Sequence, residues 1–231
     1  VTLRPEYLTY RHDGQDEYAL CFAATAARRI LIVPPLFDEM NRVRRMLVQS
    51  MRHVGERGVG TILIDLPGCN ESVAPLQVQS LSTWRNAVAA AAAAFGVTHV
   101  AALRGGALVD HGIPDLPHWR LAPVKGGGLL KTMIRTRIAG DREAGKTISE
   151  ADLMAAAQTA PIELAGNWLG SEMVTQLGEA EAVSLPDCMV RTLGSDIAGS
   201  PLWLRVEPQD DTAMSVAIAD DLEGWSARCG G

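Results

Sequence analysis

The most chemically pointed stretch of the chain is Ala102-Leu103-Arg104-Gly105-Gly106, which follows a short apolar run. Its spacing is that of a G-x-S-x-G turn, in which a strand bends sharply into a helix and small flanking residues let a serine stand clear of the backbone. Here the central residue is Arg104. Arginine keeps its proton at any working pH, so it is neither nucleophile nor general base. Its planar fork can instead bind a carboxylate or phosphate, or stabilise developing negative charge. The plain alternative is an ordinary strand-to-helix turn that exposes an arginine.

A serine relay needs a histidine, which in this order of motifs follows the nucleophile late in the chain. The histidines are His12, His53, His99, His111 and His118, and none lies in the last hundred residues. His99 and His118 read as packed strand residues. Other candidates cluster near the ends of apolar runs. Asp65 and Cys69 lie in Asp65-Leu66-Pro67-Gly68-Cys69, after Thr61–Ile64. Asp65 is a general base for water or a turn residue. Cys69 is a thiol nucleophile or, with no histidine partner in view, inert packing. Glu39, Asn41, Arg42 and Arg45 open a helix directly after Pro34-Pro35-Leu36. Glu39 is a second candidate base, or simply an acid favoured by the helix dipole. Arg42 and Arg45 form a solvated face or, with Arg104, an anion site. Backbone amides near Leu36 and Gly105 are the candidate oxyanion donors.

These residues need a frame. Asp13-Gly14 between Tyr7–Arg11 and Glu17–Ala23 predicts a hairpin. Residues 28–33 predict a buried parallel strand. Met40, Val43, Leu47, Met51 and Val54 predict a helix over Asp38–Arg57. A strand over Thr61–Ile64, a helix capped by Ser82 and running to Phe95, and a strand over Val97–Leu103 follow. This alternation predicts βαβ units and a parallel sheet, whose ligands sit at the carboxyl ends of the strands. Further on, Trp119–Val124 and Leu202–Val206 read as strands. Leu129–Ala139, Glu150–Ala157 and Thr212–Ala227 read as helices, and Gly126-Gly127-Gly128 as a loop.

With 231 residues, 47% hydrophobic and 21% charged, the chain fits one α/β domain over residues 1–231. A helical insertion over roughly 125–160 is expected, and it is a possible small lid. The net charge of −6 disfavours nucleic acid or an anionic membrane as partner. Cys21, Cys69, Cys188 and Cys229 are widely spaced, so reduced thiols in a cytoplasmic setting are expected, with no metal site. No signal-like h-region is visible at the start, and no run approaches the ~18 apolar residues of a membrane span. No cofactor is expected.

Several blocks together resemble a known family. Pro34-Pro35-Leu36-Phe37-Asp38-Glu39-Met40-Asn41-Arg42 with Arg44-Arg45-Met46 is similar to the second type of exosortase A system-associated hydrolase. Asp65-Leu66-Pro67-Gly68-Cys69-Asn70-Glu71-Ser72, Ala102–Leu108, Ala122-Pro123-Val124 with Gly126, Leu130–Arg137 and Ile162–Leu169 resemble its later stretches, in order. Asn70 and Asn167 depart from its glycine and tyrosine. The resemblance implies an α/β-hydrolase-like, mostly parallel sheet flanked by helices. It also implies a setting of exopolysaccharide production and protein sorting, and an arginine as the usual residue at the elbow. Beside a structural subunit with a vestigial pocket, which Arg104 buried against a carboxylate such as Glu39 with no open pocket would mark, two functions follow as expectations. One is hydrolysis of an ester or thioester at an atypical site that lacks the serine and histidine. The other is a non-catalytic accessory protein that holds a small anionic or acyl molecule at Arg104.

Overall fold

The computed structural model describes residues 3–205 and 207–229. The N-terminal strands β1 (Glu6–His12) and β2 (Gln15–Phe22) pair antiparallel. Asp13 and Gly14 between them both have left-handed φ, which matches the hairpin twist. Next in the chain come β3 (Arg29–Val33), α1 (Asp38–Glu56), β4 (Gly60–Ile64), α2 (Leu81–Phe95), β5 (His99–Leu103) and β6 (His118–Leu121). The sheet is completed by β9 (Cys188–Arg191), and α6 (Thr212–Arg228) ends the described chain. The seven strands run in the order β1-β2-β4-β3-β5-β6-β9, with β4, β3, β5, β6 and β9 mutually parallel.

Period-two alternation sorts the strand residues onto two buried faces. Ile30, Ile32, Ala101, Leu103, Trp119 and Leu121 pack with the apolar stripes of α1 and α6. Leu31, Val33, Val100 and Ala102 pack on the other face with α2 and the helices that follow β6. Both faces of the central strands are therefore dry, as their continuous apolar sequences predict. Among the described residues no helix is long and apolar enough to cross a membrane.

Between β6 and β9 lie α3 (Gly126–Glu143), α4 (Glu150–Ala157), the small hairpin β7 (Ile162–Leu164) and β8 (Asn167–Leu169), and α5 (Ser171–Glu179). Asp110, His118 and Arg120 form a buried group beneath this segment. Arg120 donates twice to Asp110, at 2.7 Å each, and His118 Nδ1 lies 3.4 Å from the same carboxylate.

Several expectations need correction. Gly126-Gly127-Gly128 is not a loop but the first turn of α3. Gly126 lies so close to α5 that an added Cβ would meet the Leu177 carbonyl at 2.3 Å, so only glycine fits the crossing. The strand expected over Trp119–Val124 begins at His118 and stops at Leu121, because Ala122 turns left-handed and Pro123 cannot continue a ladder. Leu202–Leu204 is a 3-10 turn rather than a strand, while Val206 lies outside the described residues. The last strand is β9, whose sequence, Cys-Met-Val-Arg, is too short for periodicity to mark. The cap of α2 is Ser80, which accepts from Thr83 N, and not Ser82.

The glycine turn gives a direct test. Gly126→Ala should destabilise by about 1–3 kcal/mol through overpacking on α5. Gly128→Ala meets only an ordinary 3.7 Å contact with Val124, and should gain up to about 1 kcal/mol from helix propensity. Urea unfolding of the two variants beside the parent separates these outcomes.

Candidate functional site

The close approach of β3 and β5 fixes the geometry at the sheet's carboxyl edge. A Cβ at Gly106 would lie 2.6 Å from the Pro34 carbonyl oxygen and 2.7 Å from that of Val33, so the turn after β5 is pressed against the end of β3. Gly105 is packed by Leu129 and Leu36, at 2.7 and 2.9 Å from where its Cβ would stand. Between these glycine-enforced contacts and β5, Arg104 takes φ 53°, a left-handed conformation unusual for a side-chain-bearing residue. That is the strained turn which lifts a residue clear of a strand end.

The raised side chain crosses to α1. Arg104 Nε donates to Glu39 Oε2 at 3.2 Å and Nη2 to Oε1 at 3.0 Å, a two-pronged ion pair. Nη1 donates to the Ala122 carbonyl at 3.1 Å. The guanidinium also lies 4.7 Å from the centre of the Trp203 ring. The pair is largely enclosed, with 15% of the Arg104 side chain and 10% of that of Glu39 exposed. Burial pushes the Glu39 carboxyl above its ordinary value, opposed by the Arg104 hydrogen bond and charge.

The pair forms one wall of a cavity of about 270 Å³. Leu36, Phe37, Leu129, Met133 and Trp203 supply apolar walls, and Thr132 and Thr136 of α3 face it. Arg42 also lines it, but its charge is met by Asp38 at 2.6 Å and by the Trp203 carbonyl at 2.8 Å. The charged groups of this cavity therefore neutralise one another. The backbone N–H groups of Leu36 and Gly105 have no acceptor among the described residues, but only Leu36 lines the cavity; Gly105 is buried behind the Leu36 and Leu129 side chains. No histidine lines the cavity.

The remaining candidates lie elsewhere. Asn41 is turned one face round the helix from Glu39 and Arg42. It lines a neighbouring cavity of about 290 Å³ with Phe37, Asp38, Cys69, Asn70 and Asn167. Arg45 lies outside both cavities, exposed, and pairs with Asp210 at 3.2 Å. Asp65 does not reach the Arg104 cavity. It accepts from Asn70 Nδ2 at 2.7 Å and from Glu71 N at 3.4 Å, and burial pushes its carboxyl up. Cys69 is pushed up to about 12 by burial first, then by the nearby Asp65 and Glu17 charges. A thiol held protonated in this way is a poor nucleophile. Sequence reasoning missed Trp203, the Ala122 carbonyl and the α3 threonines. Only Trp203 carried any signal, as a large aromatic in a segment without periodicity.

Seven described residues other than glycine have positive φ; four of them, Phe37, Asn70, Arg104 and Ala165, line these two cavities, and a fifth, Ala122, accepts from Arg104.

Glu17, Glu39 and Asp65 are all buried carboxyls pushed up by desolvation. Each therefore holds its proton more tightly folded than unfolded. As pH rises from the ordinary carboxylate value through the raised one, the folded state carries more protons, so stability falls. Asp65→Asn should flatten this decline. Melting temperatures of parent and variant from acid to neutral pH measure it, and parallel curves would contradict the assignment.

No protein-family model matches the chain, and no curated protein matches it in sequence. Solved structures match it in fold. Est1E from Butyrivibrio proteoclasticus, with ferulic acid bound, is 14% identical with a TM-score of 0.61, covering 95% of this chain and 99% of its own. A second Est1E structure is 15% identical with a TM-score of 0.53, over 94% and 85%. A protein from Agrobacterium vitis S4, described as a "putative hydrolase", is 12% identical with a TM-score of 0.52, over 83% and 78%. The chain has an α/β-hydrolase fold, a mostly parallel sheet flanked by helices.

Proposed function

We propose that the chain is a hydrolase of an ester or thioester of an uncharged acyl group that uses water directly, without a covalent acyl-enzyme. One observation carries this reading. The cavity at the elbow is walled by apolar groups and an internally neutralised ion pair, and it is lined by Leu36, whose amide has no acceptor among the described residues. Spare charge for an anion is absent there, whereas an uncharged acyl group meets matching walls. In the reaction, water oxygen adds to the acyl carbon and its proton passes to Glu39. The oxyanion forms against the Leu36 N–H group. On collapse, the bond to the alcohol or thiol breaks and Glu39 returns the proton to the leaving group. Arg104 is a positioning residue, which fixes both oxygens of the base.

The raised carboxyl of Glu39 suits a base better than a fully exposed one would. The motif resemblance supports a role in exopolysaccharide production, and the widely spaced cysteines support the cytoplasm as the compartment. Asp65 and Cys69 have no part in this route. A second reading is an accessory protein that binds the acyl compound without turnover. It is favoured by the engagement of both Glu39 oxygens by Arg104.

A series of p-nitrophenyl esters of graded acyl length, and the matching thioesters, separates the two. Hydrolysis is expected to rise with pH through the Glu39 titration. Glu39→Gln should lower kcat/KM by roughly 100-fold or more, and mass spectrometry should show no acylated protein at any time. Binding of the same esters with no turnover by the parent chain would establish the accessory reading instead.

A further inference from the structure

The elbow cavity does not end at its own walls. Phe37, Asp38 and Ala165 are shared with the neighbouring cavity, whose further polar side chains include Asn41, Asn70 and Asn167. Asn41 is shared in turn with an open groove of about 560 Å³ between α1 and the β1–β2 hairpin. Along that groove Asn41, Arg44, Arg45, Val48, Gln49 and Arg52 recur at three- and four-residue spacings, one continuous face of α1. From Asn41 to Arg52 the helix advances about 16 Å.

The groove is basic on a chain of net charge −6. Asp38 answers Arg42, and Asp210 answers Arg45. Arg44 and Arg52 have no carboxylate partner among the described residues. Arg52 lies 5.5 Å from the Phe22 ring centre, and its Nε is buried without an acceptor. Tyr7, 71% exposed, stands at the same groove. Apolar cavity, amide-lined passage and arginine groove thus adjoin one another in that order through the residues they share.

We propose that this series binds an acyl thioester carried on a long phosphorylated arm, with the soluble coenzyme A ester as its form. The acyl group fills the elbow cavity, and the thioester carbonyl lies at Leu36. The amide-bearing arm passes Asn41, Asn70 and Asn167, and the phosphates meet Arg44 and Arg52. This rests on the hydrolase reading above and narrows its substrate to a thioester.

The test is calorimetric titration with octanoyl-coenzyme A and with octanoyl-N-acetylcysteamine, the same thioester without phosphate. The parent should bind octanoyl-coenzyme A more tightly, and added salt should erode the difference. Arg44→Ala and Arg52→Met should each weaken octanoyl-coenzyme A by roughly tenfold and leave the truncated thioester unchanged. Methionine at 52 keeps packing on Phe22, so a folding defect is separated from lost charge, and melting temperatures confirm this. Equal binding of the two thioesters by the parent, no binding of octanoyl-coenzyme A, or variants that bind it as the parent does would each overturn the proposal. Thiol release is followed separately. Arginine-dependent binding without release sustains the arm site while refuting hydrolysis.

Discussion

The ion pair between Arg104 and Glu39 is the interaction on which the site depends. It joins the end of β5 to the first turn of α1, two segments 65 residues apart in sequence. A lone guanidinium here would face desolvation without compensation, as would a lone carboxylate. Together they also draw in the Ala122 carbonyl and the Trp203 ring, so the segments after β6 and before α6 converge on one charged group. The pair consumes the charge that an isolated elbow arginine would offer to an anion. A residue that suggests anion binding from its type alone thus helps to make a pocket for something uncharged.

Much of the framework was legible because its signals are local and strong. The hairpin at Asp13-Gly14, the α1 periodicity and the buried runs of β3, β4 and β5 each follow from spacing or turn chemistry. The elbow was legible for a related reason, since close backbone approach at Gly106 demands glycine there whatever stands at position 104. After Val109 the determinants become tertiary. β9 is four residues long and is specified by pairing with β6. The glycine run at 126–128 reads as a loop by propensity, yet its lack of side chains is what lets α3 cross α5. The partners of Arg104 were half legible. Glu39 was visible as an acid opening a helix, but a backbone carbonyl such as that of Ala122 leaves no mark in side-chain identity.

The two buried charge clusters differ in what surrounds them. Asp110 and Arg120, with His118, are sealed, with no exposed side-chain surface on Asp110 and 4% on Arg120. They tie β6 to the turn that follows the elbow, a structural duty. Arg104 and Glu39 keep a little exposure and border open volume. The same chemical pairing thus serves as an anchor where no space adjoins it and as a candidate site where space does.

The left-handed residues around the mouth have a further consequence. A residue with a Cβ held in that region costs about 1–3 kcal/mol relative to relaxed backbone, and five of them gather here. The sum rivals the whole net stability of a typical domain, about 5–15 kcal/mol. The rim is therefore a spring held closed by the dry core beneath it. Chains that drift toward higher stability would find their easiest gains there, by exchanging Ala122 or Ala165 for glycine.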